Sequence, residues 1–299
     1  MSQKLFSPIK IRDVEFANRI VIAPMCQYSA DEGVANDWHL MHLGQYAVSG
    51  AGMVIVEATA IEAIGRITPG CVGLYTDEHE QALARIVNFF EHHGAAQIGI
   101  QLAHAGRKAS AALPWNGGKA LTAQDGAWQT IGPSAAAFDD GWHTPVEMDR
   151  ADMDHVRDGF AAAAGRADRA GFKLAEVHGA HGYLLSQFLS PIANHRTDEY
   201  GGSLENRMRF PLEVFSAVRN AWPENKPLGV RISATDWEED GITPGITIEE
   251  SVAVTAALKA RGCDFIDVSS GGNLATRPPV GTSGPGYQVP FAERIKAET

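Results

Sequence analysis

The stretch Ala151–His178, ADMDHVRDGFAAAAGRADRAGFKLAEVH, holds a helix signal, a stop signal and a strand signal in succession. Residues 151–170 are typical of an amphipathic helix, and Asp149 just before them is a good N-cap. Gly171 stands where that helix should end. The short apolar run LAEVH at Leu174–His178 then predicts a buried parallel strand. A helix that leads into a buried strand is the repeating half of an α/β fold.

The same alternation continues along the chain. Short runs rich in Ile and Val predict further parallel strands at Ile20–Met25, Met53–Ile61, Gln97–Leu102, Leu228–Ser233 and Phe265–Ser270. Helical stretches are predicted at Asp77–His93, Ser203–Trp222 and Thr247–Arg261, with a last one at Val289–Ala297. This succession predicts a parallel sheet covered by helices, in one domain over residues 1–299.

Two segments lie outside the alternation. Leu5–Arg19 (LFSPIKIRDVEFANR) is typical of a hairpin that could close the bottom of a barrel. Ala109–Glu147 is long for a connection and contains three tryptophans with Gly and Pro. Loops of that size are usually functional covers or disordered segments, and the aromatic residues favour an ordered cover.

The number of strands decides between two architectures. The sequence predicts six strands, whereas a (β/α)8 barrel needs eight and so at least two more β/α units. Six strands of a barrel would leave two open edges. The strand count alone therefore predicts either a doubly wound open sheet or a barrel sequence that stops early.

Composition excludes several classes of protein. The 299 residues carry 25 Lys and Arg against 36 Asp and Glu, a formal charge of −11, which opposes nonspecific binding to nucleic acid. The three cysteines form no CxxC pair, which argues against a disulfide framework or a structural zinc site. No apolar run is long enough for a membrane span, and the first residues lack a secretory h-region. We therefore expect an α/β enzyme of the reducing cytoplasm.

Polar residues collect where the predicted strands end, which is where active sites lie in barrels and open sheets. The fourth strand ends in His178, with His181 and Tyr183 close behind. The two histidines could be metal ligands, completed by Glu57, Glu176 or His104, although no HExxH motif accompanies them. Alternatively, two imidazoles form a cradle for a carbonyl or nitro oxygen, and Tyr183 is a candidate proton donor.

Three other residues allow a functional and an ordinary interpretation. Arg231 inside a strand needs a fixed partner, which is either a carboxylate or an electron-rich cofactor ring. Gln101 offers both a donor and an acceptor, which suits a planar edge such as a flavin pyrimidine. Cys26 could be a nucleophile, but a buried inert thiol is the simpler interpretation.

A set of motifs then runs in order along essentially the whole chain: NRIVIAPMCQYSA at Asn18–Ala30, GRITPGCVGLYTDEH at Gly65–His79, GIQLAHAGRKA at Gly99–Ala109, EVHGAHGYLLSQFLSP at Glu176–Pro191 and NHRTDEYGGSLENRMRF at Asn194–Phe210. With these motifs the chain resembles the old yellow enzyme family of FMN-dependent ene-reductases, in the bacterial thermophilic-like branch that includes xenobiotic reductases. The resemblance implies a (β/α)8 TIM barrel with an N-terminal hairpin, and a sequence that ends after about six β/α units.

The resemblance assigns a role to each candidate residue. Pro24, Met25, Cys26, Ala58, Gln101 and Arg231 match positions that contact FMN, with Cys26 as a tuner of its redox potential. His178 and His181 match the pair that binds the substrate's activating oxygen. Tyr183 matches the proton donor, and Tyr28 matches a residue of the substrate pocket. No residue matches a metal ligand.

The implied activity is reduction of activated C=C bonds in α,β-unsaturated carbonyl or nitro compounds. NADPH or NADH gives hydride to FMN, and the electron-poor alkene then takes it in a second, ping-pong half-reaction. A homodimer or homotetramer is the assembly that the resemblance implies. The last two units, whose loops bind the FMN phosphate, are absent from the 299 residues, so weak FMN binding or poor folding is expected. A metal-dependent barrel hydrolase and a noncatalytic flavin-binding remnant are the alternatives.

Overall fold

A computed structural model describes residues 4–237, 245–275 and 284–299. Their strands are β1 (Ile9–Ile11), β2 (Val14–Phe16), β3 (Val21–Ile22), β4 (Met53–Ala60), β5 (Gln97–Ala103), β6 (Ile131–Gly132), β7 (Val146–Glu147), β8 (Leu174–Gly179), β9 (Leu228–Ser233) and β10 (Phe265–Ser269). The α-helices are α1 (Asp37–Ala47), α2 (Asp77–His93), α3 (Arg150–Arg169), α4 (Leu184–Leu189), α5 (Leu204–Ala221), α6 (Ile248–Lys259) and α7 (Val289–Glu298).

Six parallel strands form the main sheet, in the order β3-β4-β5-β8-β9-β10. The spatial order is the chain order, so the sheet has no point at which the strand order reverses. A doubly wound open sheet requires such a reversal. The arrangement is therefore a parallel half-barrel, and the open-sheet alternative is wrong.

The sheet has two faces with different contents. The outer face packs with α1–α7 in one large apolar cluster that includes Val56, Ile100, Val177 and Phe160. At the inner face, the hairpin of β1 and β2 contributes Phe16 to a small second cluster with Met53 and Leu174. A cavity of about 370 Å³ lies between that hairpin and the inner sides of β4, β8 and β10. The hairpin predicted for Leu5–Arg19 is confirmed and lies at the N-terminal end of the sheet.

Helix ends follow the predicted cap signals. The Asp149 carboxylate accepts from the backbone N–H of Asp152 at the start of α3, and the Thr247 hydroxyl does the same for Glu250 in α6. Gly171 has a φ of 97°, which a left-handed turn at a helix end requires. The sequence did not predict α1. Its buried side is formed by His39, Leu43, Gly44 and Ala47, so the apolar signal along it is weak.

The long segment Ala109–Glu147 has defined structure. Its strands β6 and β7 pair in parallel, and the indole Nε1 of Trp128 donates to the carbonyl of Ile64 at 3.0 Å. Arg107, just before the segment, donates to the carbonyls of Ala136 and Ala137. Trp115, by contrast, is 65% exposed. The segment is thus anchored at several points along its length, while Trp115 is exposed.

The two outer strands of the main sheet are β3 and β10, and neither has a second neighbour within the described residues. That the sequence ends two β/α units before a closed barrel stays a prediction. In the part of the chain that the structure describes, no helix is both long and apolar enough to cross a membrane.

Candidate active site

The strand register brings the predicted polar residues into two adjacent rows. In the first row, Gln101 of β5 pairs with Glu176 of β8. In the second row, Arg231 of β9 lies between His178 of β8 and Asp267 of β10. The second row lies closer to the C-terminal rim of the half-barrel, which is where the active sites of barrels lie.

The two histidines are in direct contact. Nδ1 of His181 lies 3.3 Å from Nε2 of His178, and the rings are perpendicular with centroids 5.0 Å apart. Nδ1 of His178 accepts from the backbone N–H of Ala180, so the proton of His178 lies on Nε2 and points at His181. His181 then carries its own proton on Nε2, which faces the Ser269 hydroxyl at 2.7 Å. Assigned in this way, the network is a directed chain of three hydrogen bonds.

Both imidazoles are neutral at physiological pH. Burial lowers the pKa of His178 well below its ordinary value, helped by the proximity of His181 and Arg231. Burial also lowers the pKa of His181 to about 3, and the positive charges of Arg231 and Lys108 act in the same direction. Each ring therefore has one N–H to donate and cannot act as a cation in this state.

The backbone at His181 is held in an unusual conformation. Its φ is 60°, in the left-handed region that a non-glycine residue seldom adopts. Its N–H donates to the Ser233 hydroxyl at 2.9 Å, and its carbonyl accepts from Lys108 Nζ at 2.9 Å. Gly272 packs directly against it, since a Cβ there would lie 2.2 Å from the His181 carbonyl carbon. The surrounding residues thus fix a strained backbone, as is common at functional sites.

Tyr183 completes the cluster on β8 and α4. Its ring centroid lies 5.1 Å from that of His178, and Lys108 Nζ lies 5.2 Å from the Tyr183 centroid. Burial raises the pKa of the Tyr183 phenol well above its ordinary value, and the nearby Cys26 and Tyr28 raise it further. The phenol therefore stays protonated at physiological pH.

A buried polar layer lies beside this cluster. Gln101 Nε2 donates to Glu176 Oε1 at 2.7 Å, and Arg231 Nε lies 3.1 Å from Asp267 Oδ2. Burial raises the pKa of Glu176 to about 8, so that carboxyl is largely neutral at pH 7. Within the described residues, Glu176 Oε2 and Arg231 Nε make no hydrogen bond. Of the two partners considered for Arg231, the structure shows a carboxylate on the neighbouring strand.

The segment after β3 forms the opposite wall. The Gln27 N–H, next to Cys26, donates to buried Glu57 at 3.1 Å. Tyr28 has a φ of 53° and meets the ring of Trp115 edge-on at a centroid distance of 6.0 Å. Met25, next to Pro24, is 43% exposed. Tyr28 thus contacts Trp115 on this wall, while the Met25 side chain is open to its surroundings.

The residues considered to complete a metal site with His178 and His181 have other partners. His104 Nε2 pairs with Glu62 at 3.0 Å rather than facing His178, and Glu57 faces Nε2 of His39 at 3.6 Å. No group of three His, Cys, Asp or Glu side chains is placed to hold a metal ion in the ranges 4–237, 245–275 and 284–299. The geometry gives the barrel-hydrolase alternative no support.

Two residues of the site were not singled out as candidates from the sequence. Lys108 reaches the carbonyls of His181 and Gly272, at 2.9 and 3.0 Å, from a different loop. Ser269, at the end of β10, has its hydroxyl 2.7 Å from Nε2 of His181 and accepts the hydrogen bond from this nitrogen. Lys108 belongs to the motif GIQLAHAGRKA at Gly99–Ala109, and Ser269 lies at the end of a predicted strand. These positions were the sequence signals that could have identified the two residues.

The family model for the NADH:flavin oxidoreductase / NADH oxidase family matches residues 4–289. The chain belongs to this family. An NADPH dehydrogenase from Geobacillus sp. (strain WCH70) is 45% identical over 300 residues, covering 100% of this chain and 81% of the relative. The family uses FMN, and NADPH is the nicotinamide cofactor in the name of that relative. The member described here is accordingly an oxidoreductase with FMN and a nicotinamide cofactor.

Solved structures of the family carry the same fold. Morphinone reductase superposes with a TM-score of 0.79 at 29% identity, covering 98% of this chain and 77% of that chain. The old yellow enzyme from Pichia sp. AKU4542 gives a TM-score of 0.77 at 29% identity, covering 89% of this chain and 71% of that one. The family recognised from the sequence motifs, that of old yellow enzyme, is thereby confirmed.

The polar layer of this family member fits a flavin ring. A flavin pyrimidine edge alternates N–H and C=O groups, and Gln101 offers both a donor and an acceptor beside the cationic Arg231. The buried Glu176 Oε2 has no hydrogen-bond partner within the described residues and is a polar atom that such an edge could satisfy. Since burial raises the pKa of Glu176 to about 8, this carboxyl adds little negative charge at pH 7 to oppose an electron-rich ring.

Proposed function

We propose that this family member reduces electron-poor C=C bonds of α,β-unsaturated carbonyl or nitro compounds, with electrons from NADPH or NADH in two half-reactions at one site. The observation that carries the proposal is the contact of buried His178 with the partly buried His181 and Tyr183 at the end of β8. It combines two neutral N–H donors with a protonated phenol, which are the groups that polarise and protonate an activated alkene.

The histidine pair binds the substrate's oxygen in this proposal. The His181 N–H now donates to Ser269 and the His178 N–H to His181. A carbonyl or nitro oxygen takes the place of these acceptors, and the two N–H groups then draw electron density from the double bond. Neutral imidazoles suit this task, because they donate without transferring a proton to the oxygen.

Tyr183 delivers the proton to the substrate's α-carbon. A phenol whose pKa burial raises keeps its proton until a carbanion-like centre develops next to it. Tyr28 and the neighbouring Trp115 form the outer wall that excludes water from this centre and limits the size of the alkene.

Six residues hold the cofactor in this proposal. Gln101 and Arg231 bind the pyrimidine edge, Ala58 contacts the ring, and Pro24, Met25 and Cys26 lie along its other edge. Bound there, FMN supplies the two-electron hydride chemistry that no side chain provides. Arg231 adds a positive charge where reduction places negative charge. The assembly we propose is a homodimer or homotetramer.

The proposal is tested with the purified flavoprotein under anaerobic conditions. We expect NADPH to bleach the visible flavin absorbance, and 2-cyclohexenone to restore it, while the saturated cyclohexanone does not. Absence of bleaching would identify a noncatalytic flavin-binding protein. Restoration by both ketones would contradict alkene reduction, and intersecting rather than parallel lines in the steady-state kinetics would contradict the two half-reactions.

A further inference from the structure

The buried carboxyl of Glu57 joins three elements beside the candidate active site. Glu57 is 3% exposed and lies directly before Ala58 on β4. Its Oε2 accepts a hydrogen bond from the backbone N–H of Gln27 at 3.1 Å, and its Oε1 lies 3.6 Å from Nε2 of His39. The side chain therefore connects β4 with the segment after β3 and with α1.

Glu57 is an irregular position in its strand. The residues on either side, Val56 and Ala58, pair with consecutive residues of β5, so Glu57 is one residue more than the register of β5 matches. A β-bulge of this kind re-aims a side chain, and bulges are frequent beside active sites. The Thr59 hydroxyl donates to the carbonyl of Glu57 at 2.7 Å, which satisfies a buried polar group at the irregularity. The strand is thus built to place this carboxyl.

The segment that Glu57 holds carries residues of the proposed site. Gln27 stands between Cys26, assigned to the flavin edge in the proposed function, and Tyr28, assigned to the substrate wall. Tyr28 has a φ of 53°, a left-handed conformation that its surroundings must maintain. The Gln27 side chain also accepts from Nε1 of Trp38 at 3.1 Å, but that contact is exposed. The bond to Glu57 therefore fixes the segment from its buried side.

We propose that Glu57 is a positioning residue that fixes the Cys26–Tyr28 segment against the cofactor edge and the substrate pocket through its hydrogen bond to the Gln27 N–H. A backbone N–H that loses its acceptor in a largely buried place is costly, so the segment would move rather than leave this group unpaired. What the segment contacts rests on the proposed function, whereas the position of the segment can be measured without it.

The role depends on a hydrogen bond rather than on a charge. Burial raises the pKa of Glu57 well above its ordinary value, which favours the neutral carboxyl. Glutamine has the same shape and an acceptor oxygen, so Glu57→Gln should keep the contact with the Gln27 N–H. Methionine has a similar length but only a weak acceptor, so Glu57→Met should lose it.

The first test follows the alkylation of Cys26 by iodoacetamide in the intact flavoprotein, with peptide mass spectrometry to separate it from the other two cysteines. Cys26 is partly exposed, so its labelling rate reports how firmly the segment is held. We expect Glu57→Met to label about tenfold faster than the unsubstituted protein, the factor that corresponds to one lost hydrogen bond of about 1.4 kcal/mol. Glu57→Gln should label at the unsubstituted rate.

The second test is kinetic. Glu57→Met should raise the KM for 2-cyclohexenone more than it lowers kcat, because the wall formed by Tyr28 moves while His178, His181 and Tyr183 stay in place. Glu57→Gln should restore the KM. The matched control is Glu80→Met, since Glu80 accepts from Arg169 on the outer surface, and it should leave the labelling rate and the KM unaltered.

The outcomes separate the position of the segment from charge and from stability. Unchanged labelling in Glu57→Met would overturn the inference, as would fast labelling in both Glu57 variants or an unaltered KM despite fast labelling. Amide hydrogen exchange in the unsubstituted protein does not depend on the folding of a variant, and rapid exchange of the Gln27 N–H would also overturn it. A protein that does not reduce 2-cyclohexenone would contradict the proposed function alone, since labelling and exchange would still test the hold of Glu57 on the segment.

Discussion

Nδ1 of His181 lies 3.3 Å from Nε2 of His178, and both rings are neutral at the end of β8, with His178 buried and His181 partly buried. The Nε2–H of His178 donates to Nδ1 of His181, so each ring is the hydrogen-bond partner of the other. The pair is therefore in a closed state without substrate, in which the N–H groups are satisfied within the protein. Substrate binding must exchange these internal bonds for bonds to its own oxygen.

The buried pair makes the stability of the fold depend on pH. An ordinary histidine has a pKa near 6.5 in the unfolded chain, whereas that of folded His181 is about 3. The contribution of neutral His181 to the free energy of unfolding is thus fully present above pH ~6.5. It falls as the pH drops towards 3, because the unfolded chain binds the proton more tightly than the folded protein does. The loss is about 1.4 kcal/mol of unfolding free energy per pH unit for this one group. Urea unfolding of the His181→Asn variant between pH 7 and 5 should show a flatter dependence than that of the unsubstituted protein.

The matched control for this experiment is His93→Asn, since the side chain of His93 is exposed at the end of α2. That variant should keep the pH dependence of the unsubstituted protein. Equal slopes for all three proteins would contradict a neutral buried His181.

Substitution of Tyr183 should separate the two half-reactions. The Tyr183→Phe variant keeps the ring against His178 and removes only the phenolic O–H. We expect alkene reduction to slow by about 100-fold or more, the contribution typical of general acid catalysis, with flavin reduction by NADPH nearly unchanged. Stopped-flow absorbance measures both rates. Tyr75→Phe is the control, because the Tyr75 hydroxyl donates to the carbonyl of Glu32, away from the pair His178 and His181. Equal slowing of both half-reactions by Tyr183→Phe would exclude the proton-donor role.

Strands and long helices could be predicted from the sequence because their signals are local. The run LAEVH is buried on both faces, and β8 extends it by a single residue to Gly179. Helix α2 has the predicted bounds Asp77–His93. Helix α1 was missed because a histidine and a glycine take two of its four buried positions.

The site could be predicted as a set of residue types but not as a network. The end of β8 already showed that His178, His181 and Tyr183 would lie together. The sequence could not show that the two imidazoles bond to each other, since this depends on the φ of 60° at His181 and on the position of Ser269, 88 residues further along the chain. Contacts of that kind are fixed by strand register and loop packing rather than by local pattern.

Lys108 should act as a positioning residue that ties two strand ends together. Its ammonium donates to the carbonyls of His181 and Gly272, and hydrogen bonds from a charged donor contribute about 1.5–3 kcal/mol each. We expect Lys108→Met, of similar length, to lower the free energy of unfolding by about 2 kcal/mol. Urea denaturation measures the change, and exposed Lys119→Met in the neighbouring loop should leave it unaltered. Equal free energies of unfolding for Lys108→Met and Lys119→Met would refute this positioning role of Lys108.

The Arg231–Asp267 contact gives a test of the cofactor site that does not use catalysis. Reduction adds negative charge to a flavin, so the positive charge of Arg231 should favour the reduced form and the opposing Asp267 should weaken that effect. We expect Asp267→Asn to raise the midpoint potential and Arg231→Met to lower it. For a two-electron couple, a shift of about 30 mV corresponds to 1.4 kcal/mol, which is the scale expected for one partly screened charge. Spectroelectrochemical titration of each purified flavoprotein measures the potential.

The control is Asp158→Asn, which removes a carboxylate of the same kind from the outer surface, where the side chain is 68% exposed. Its potential should equal that of the unsubstituted protein, because water and salt screen a charge at that position. Shifts of opposite sign for Asp267→Asn and Arg231→Met would locate the flavin beside β9 and β10. Shifts of the same sign, or none, would place it elsewhere and remove Arg231 from the cofactor site.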